Sequence, residues 1–166
     1  MGTLLLATWI ALARVDSPDA IPVRDPAVRP VSNIARSILD EAARRSPTVS
    51  ALIRQLRQYD IIVYVDLDLN MTRDRGTTRI LTATGNWRIL RVALSNTLDP
   101  ATRIEVLGHE LCHALEIARA PEVRDAATFK TFYERVGFGV GPASFETSEA
   151  RDMEARVRRD LSKWGS

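Results

Sequence analysis

Apolar residues recur at helical spacing where the regular pattern of the chain begins. A helix is predicted from the N-cap Ser32 to about Arg45, because apolar residues lie three or four positions apart there. These residues are Ile34, Ile38, Leu39 and Ala42. A second helix is predicted from Pro47 to about Gln58, since proline suits the first position of a helix. The regular part of the chain therefore opens with two short helices.

The next segments have the pattern of strands. The run Ile61–Val65 is β-branched and aromatic, which predicts a buried strand. Residues 78–84 and 87–95 flank the turn pair Gly85-Asn86 and predict a hairpin. In its second arm, one alternating set is mostly apolar and is expected to face the core. This set is Arg88, Leu90, Val92 and Leu94.

Three further helices complete the pattern. Asp99-Pro100 predicts the start of a third helix, which Pro121 ends. A fourth helix is predicted over about residues 123–136, because a glycine follows. A Gly-Pro loop over residues 137–142 then leads into a last helix over about residues 144–163. The predicted fold class is α+β, in one domain of ordinary size.

The N-terminus carries the longest apolar run, Leu4–Ala13, which is too short to span a bilayer as a helix. Its small-x-small ending at Ala11–Ala13 is typical of a signal peptide, and a proline-rich linker follows over Arg14–Pro30. Residues 1–30 are therefore predicted to be a signal peptide and linker, and residues 31–166 the folded domain of a secreted or periplasmic protein. The run is not preceded by Lys or Arg, so a helix docked on the domain stays an alternative.

Charge and cysteine content narrow the possible functions. The 23 basic and 21 acidic residues nearly cancel to a net charge of +2, and arginine-rich stretches lack interleaved aromatic residues. Nucleic acid is therefore not an expected partner. The single cysteine, Cys112, excludes an intramolecular disulfide and is expected to be a small buried residue.

The third helix contains the sequence His-Glu-x-x-His at His109, Glu110 and His113. Residues four apart lie on one helix face, so both imidazoles can bind one zinc ion. Glu110 is rotated by about 100° from His109, which places its carboxylate beside the metal as a base for a bound water. On the opposite face, apolar residues are expected to pack: Leu107, Leu111, Leu115 and Ala118.

In these residues the chain resembles the zincins, a superfamily of zinc metallopeptidases with this motif on the active-site helix. The resemblance covers roughly Tyr59 to Leu161 and implies a zincin-like α+β fold, with a small antiparallel or mixed sheet packed on that helix and a helical C-terminal part. It also implies one Zn²⁺ and a peptide or protein substrate, bound along the strand nearest the cleft. Residues 87–95 are the best match for that strand.

The resemblance also limits the choice of a third zinc ligand. The chain has no third histidine and carries Glu116 where metzincins need a glycine, so that branch is excluded. The gluzincin branch takes a glutamate from a later helix, and the candidates are Glu146, Glu149 and Glu154. Helical phase places Glu146 nearest the apolar face of the last helix, so Glu146 is the predicted ligand. The alternative is an acid favoured by the helix dipole.

Three questions stay open at the level of sequence. Glu116 is either a partner of a ligating histidine or a charge at the cleft edge. Tyr133 is either a proton donor to the oxyanion or, as its spacing from Phe129 indicates, a core residue. The protein is either a zinc metallopeptidase or a non-catalytic zinc-binding domain for structure or recognition, and Glu110 favours hydrolysis because structural zinc sites need no base.

Overall fold

A computed structural model describes residues 27–141 and 144–164 of the chain. The elements in order are β1 (Val28–Pro30), α1 (Asn33–Arg45), α2 (Pro47–Leu56), β2 (Ile61–Asp68), β3 (Gly76–Thr84), β4 (Trp87–Ser95), α3 (Pro100–Arg119), α4 (Ala126–Val136), β5 (Phe138–Gly141), β6 (Ser144–Glu146) and α5 (Ser148–Ser162). The α+β class is confirmed. The predicted signal peptide and most of the predicted linker lie outside the described residues. Within them, no helix is long and apolar enough to cross a membrane.

The main sheet is mixed and has the strand order β1-β2-β4-β3. Strands β1, β2 and β4 are parallel, and β3 returns antiparallel to β4 through the predicted Gly85-Asn86 turn. The strand predicted to lie nearest the cleft, residues 87–95, is therefore interior, and the edge strand is β3. The interior position of β4 agrees with its burial, because its core-facing side chains are covered, whereas no residue of β3 is fully buried.

Helix α3 lies at the centre of the molecule and is buried almost all round. It packs against α2, α5 and the sheet. The approach to α5 is close at Gly108, where an added Cβ would lie 2.6 Å from Val157 Cγ2. At the other end, the buried Arg88 donates to the carbonyl oxygens of Ile117, Ala118 and Ala120. The end of a helix leaves carbonyl groups without helical partners, and here Arg88 supplements the bonds that Ile117 O and Ala120 O accept from Ala120 N and Val123 N.

The predicted starts of the first three helices are confirmed, and each has a side-chain cap. Ser32 accepts from Ala35 N, and Asp99 accepts from two amides of α3. Pro47 and Pro100 stand in the first turns of their helices. Helix α4 begins three residues later than predicted, because Asp125 forms a capping box there.

Two segments predicted to be irregular are strands. Residues Val28–Pro30 pair in parallel with β2, so the predicted linker is wrong at its end. Pro30 is tolerated because β1 is an edge strand. The predicted loop over residues 137–142 contains β5, which pairs with β6. The last helix begins at Ser148 rather than near residue 144, since Thr147 is its N-cap.

Candidate metal centre

The two histidines of the chain lie one turn apart on α3 and meet at their Nε2 atoms. His109 Nε2 and His113 Nε2 are 3.1 Å apart, and the rings are nearly perpendicular, with an interplanar angle of 81°. Both side chains are largely covered, with 13% and 8% of their surfaces exposed. The four-residue spacing therefore brings two imidazole nitrogens to one point, as the helical geometry predicts.

The third group at this point is the carboxylate of Glu146. Its Oε1 atom lies 3.4 Å from His109 Nε2 and 3.8 Å from His113 Nε2. Glu146 is the last residue of β6 and not part of the last helix. The prediction that it lies on the apolar face of that helix is therefore wrong. The backbone amide of Thr147 donates to Oε1 at 2.9 Å, and Arg151 lies 3.7 Å from Oε2.

The separations of these three atoms fit a single metal ion. A point equidistant from atoms 3.1, 3.4 and 3.8 Å apart lies about 2.0 Å from each, which is the bond length of zinc to imidazole nitrogen and carboxylate oxygen. All of the candidate ligand atoms lie within 4.8 Å of one another. The other two candidates point elsewhere, since Glu149 pairs with Arg119 and Glu154 faces the far side of His109.

On the far side, the Nδ1 atom of each histidine faces a carboxylate. His113 Nδ1 is 2.8 Å from Glu116 Oε2, and His109 Nδ1 is 3.4 Å from Glu154 Oε2. The second is a contact rather than a hydrogen bond, because buried His109 Nδ1 has no hydrogen-bond partner among the described residues. His109 and a hydrogen bond from Arg75 hold the pKa of Glu154 at about 2. A carboxylate that accepts from the outer nitrogen is the usual partner of a metal-bound histidine.

This arrangement leaves three acceptor atoms facing one another. A neutral imidazole that donates from Nδ1 presents a lone pair at Nε2. In the tautomer with both Nδ1 atoms protonated towards Glu116 and Glu154, both Nε2 atoms and Glu146 Oε1 are acceptors around one point. Burial lowers the pKa of His109, yet Glu154, Glu110 and Glu146 together raise it above the ordinary value. The centre therefore attracts positive charge, which a proton or a metal cation can supply.

Of the two carboxylates that face the Nδ1 atoms, Glu116 is more deeply buried than Glu154. It is 8% exposed and is contacted by His113, by Tyr133 OH at 3.1 Å and by Thr147 Oγ1 at 2.6 Å. Burial raises its pKa, but these donors outweigh burial and hold the pKa below the ordinary value. Of the two readings of Glu116, the structure favours the partner of a histidine.

Glu110 is 5% exposed and lies beneath the start of the edge strand. The Thr78 hydroxyl on β3 is 2.7 Å from Glu110 Oε2 and 3.0 Å from the Glu110 carbonyl oxygen. An added Cβ at Gly76 would lie 2.6 Å from Val106 Cγ1 and 2.7 Å from Glu110 Oε1, so a larger residue there would force these side chains to shift. Burial raises the pKa of Glu110, and His113 and Thr78 only partly oppose this rise. A carboxyl with a raised pKa suits proton transfer near neutral pH.

Tyr133 and Cys112 are both buried, which confirms the expectation for Cys112 and agrees with a core position for Tyr133. Tyr133 is 2% exposed, packs between Phe129 and Phe132, and has its hydroxyl 3.3 Å from His113 Nδ1. The hydroxyl thus lies on the outer side of His113 and not beside the Nε2 atoms. Tyr133 is therefore placed as a core residue and not as a proton donor to an oxyanion. Burial raises the pKa of the Cys112 thiol, which favours its neutral form.

Two residues of the centre, Thr78 and Thr147, are not among the residues predicted from the sequence. Their contacts depend on strand pairing and on the start of α5, both of which are set by tertiary structure. The local signal at Thr147 is that threonine is a good N-cap ahead of a helical pattern. Glu154 is predicted only as a candidate metal ligand, whereas in the structure it faces His109 Nδ1.

Comparison with protein-family models, with curated proteins and with solved structures finds no match for this chain.

Proposed function

We propose that the chain is a zinc-dependent hydrolase of peptide bonds, of the gluzincin branch of the zincins. The observation that carries this proposal is the convergence of His109 Nε2, His113 Nε2 and Glu146 Oε1 at zinc-binding separations, with a carboxylate behind each imidazole.

The three groups would hold one zinc ion and leave a coordination position for a small molecule. Three protein ligands are typical of catalytic zinc, whereas structural zinc takes four. Bound zinc supplies a Lewis acid that polarises a carbonyl group and lowers the pKa of water to about 7. The motif supports this assignment independently, since the sequence places Glu110 between the two histidines.

Glu110 is the proposed general base. Thr78 binds its Oε2 atom, which leaves Oε1 to take a proton from the attacking water. The protonated carboxyl then gives that proton to the leaving amine. Burial and the bond from Thr78 leave the side chain little freedom to turn away.

The proposed substrate is an extended peptide along β3. This strand is at the edge of the main sheet and passes over α3 at Gly76 and Thr78. An edge strand can add a further strand through its backbone groups, which recognises peptide without selecting its sequence. The mixed sheet on α3, with an antiparallel edge strand beside the centre, supports the proposed zincin-like fold.

A zinc-binding domain without turnover is the second candidate. The observation that favours it is the cover over Glu110, which is 5% exposed beneath Gly76 and Thr78. Glu110 can take a proton from water only if a water molecule can enter the space beside the two Nε2 atoms.

Metal analysis together with a peptide library tests both candidates. The purified protein should contain about one equivalent of zinc and cleave peptides of the library. Glu110→Gln should lower cleavage by about two to four orders of magnitude but keep zinc. Zinc without cleavage supports the second candidate. A protein that does not bind zinc rules out both.

A further inference from the structure

The groups of the candidate centre come from two parts of the chain. Helix α3 carries His109, His113 and Glu116, and the junction of β6 and α5 carries Glu146. Apart from the ion itself, something has to hold these parts in register, because a displacement of about 1 Å at one ligand is enough to spoil a metal site.

We propose that Thr147 is the positioning residue that joins the two parts, an inference that rests on the proposed zinc site. It is 5% exposed and donates two hydrogen bonds to groups of the centre. Its backbone amide donates to Glu146 Oε1 at 2.9 Å, and its hydroxyl donates to Glu116 Oε1 at 2.6 Å. The hydroxyl oxygen also accepts from Ala150 N at 3.1 Å, as the N-cap of α5.

The direction of these bonds follows from the chemistry of the groups. A charged carboxylate only accepts and an amide only donates, so the single hydroxyl proton of Thr147 goes to Glu116. Glu116 then accepts from His113 Nδ1 at 2.8 Å with its other oxygen. A continuous series of bonds thus runs from the outer side of His113, through Glu116 and Thr147, to the oxygen of Glu146 that faces both Nε2 atoms.

The series has two effects on metal binding. It fixes the ring of His113 with Nε2 unprotonated, and it fixes Glu146 relative to that ring. Partners of this kind typically change metal affinity by about 10- to 100-fold when they are removed. Thr147 acts on both protein parts at once, through its amide on Glu146 and through its hydroxyl on α3.

The test uses two substitutions at Thr147 and one matched control. Thr147→Val has the same shape without the hydroxyl, and Thr147→Ser restores the hydroxyl. The control is Ser32→Ala, because Ser32 caps α1 with the same bond, to Ala35 N at 3.1 Å, and none of its described bonds reaches the centre. A loss caused by capping alone would appear in stability for both Thr147→Val and Ser32→Ala, but not in metal affinity.

Zinc affinity is measured on the full chain by competition with a chelator. Thr147→Val is expected to weaken binding by about 10- to 100-fold, and Thr147→Ser and Ser32→Ala to stay within about 3-fold of the wild type. Equal affinity of Thr147→Val and wild type, or no rescue by serine, would overturn the inference and leave the zinc site standing. Wild-type protein without zinc affinity would instead remove the proposed function.

A second variant keeps the inference testable if valine at position 147 prevents folding. Glu116→Gln interrupts the same series on α3, and its zinc affinity should also fall by about 10-fold or more. With both folded, the combined variant should lose less affinity than the product of the two single losses, because both act through one series. Full additivity would contradict the inference, and so would a Glu116→Gln protein of wild-type affinity.

Discussion

The Nε2 atoms of His109 and His113 face each other at 3.1 Å, while their Nδ1 atoms face two different carboxylates. Glu116 thus orients His113 through a hydrogen bond, and Glu154 contacts the outer nitrogen of His109. This division means that the ligands and the residues that orient them can be tested separately.

Removal of either histidine should abolish stoichiometric zinc binding. His109→Ala and His113→Ala each leave two candidate ligands, and two ligands cannot hold zinc at the affinity of three. Zinc content after dialysis, measured by mass spectrometry, checks this. Wild-type affinity in either variant would show that zinc binds elsewhere.

The three acidic candidates should separate according to the atoms that they contact. Glu146→Ala is expected to weaken zinc binding by at least 10-fold, and Glu149→Ala to leave it unchanged because Glu149 pairs with Arg119. Glu154→Ala should have a smaller effect than Glu146→Ala, since Glu154 faces only the outer nitrogen of His109. Chelator competition gives the order, and an equal loss for Glu149→Ala and Glu146→Ala would disprove it.

Glu110→Gln should separate binding from catalysis. The amide keeps the shape of the side chain and loses the base, so zinc affinity should hold while peptide hydrolysis falls by about two to four orders of magnitude. Parallel measurements of zinc content and kcat/KM decide the point. Turnover at the wild-type rate would remove Glu110 from the mechanism.

The pH dependence of hydrolysis should show the raised pKa of Glu110. A general base works only when deprotonated, so activity should be present above this pKa and be lost as the pH falls through it. The hydrogen bond from Thr78 lowers the pKa, so Thr78→Val should move the acid limb of the kcat/KM profile to higher pH. A limb that moves to lower pH would contradict this role of Thr78.

Arg88 should be important for stability and not for zinc. Its guanidinium donates to three carbonyl oxygens at the end of α3. Arg88→Met removes the side-chain donor of all three, although Ile117 O and Ala120 O keep the bonds from Ala120 N and Val123 N. Urea denaturation should show a loss of about 1 to 3 kcal/mol in the free energy of unfolding. The exposed Arg79→Met is the matched control, and equal losses for the two variants would refute the capping role.

The sequence predicted those features that depend on local pattern. The starts of α1, α2 and α3 follow from Ser32, Pro47 and Asp99, and the spacing of the two histidines follows from the geometry of a helix. The hairpin followed from the Gly85-Asn86 pair. Each of these signals lies within a few residues of the feature that it sets.

Features that depend on tertiary contacts were not predictable in this way. Glu146 was selected by its phase on a helix, but Thr147 caps that helix after it, so the residue reaches the centre from a strand. The order of β3 and β4 depends on which arm pairs with β2, and the pattern of the hairpin alone does not decide that. The cover of Gly76 over Glu110 likewise exists only once the sheet packs on α3.

The most direct test of the zinc site is a crystal structure of the zinc-loaded protein with diffraction recorded at the zinc absorption edge. One anomalous peak is expected about 2.0 to 2.2 Å from His109 Nε2, His113 Nε2 and a Glu146 carboxylate oxygen. A peak bound by other residues, or no peak at this position in protein that contains zinc, would contradict the account.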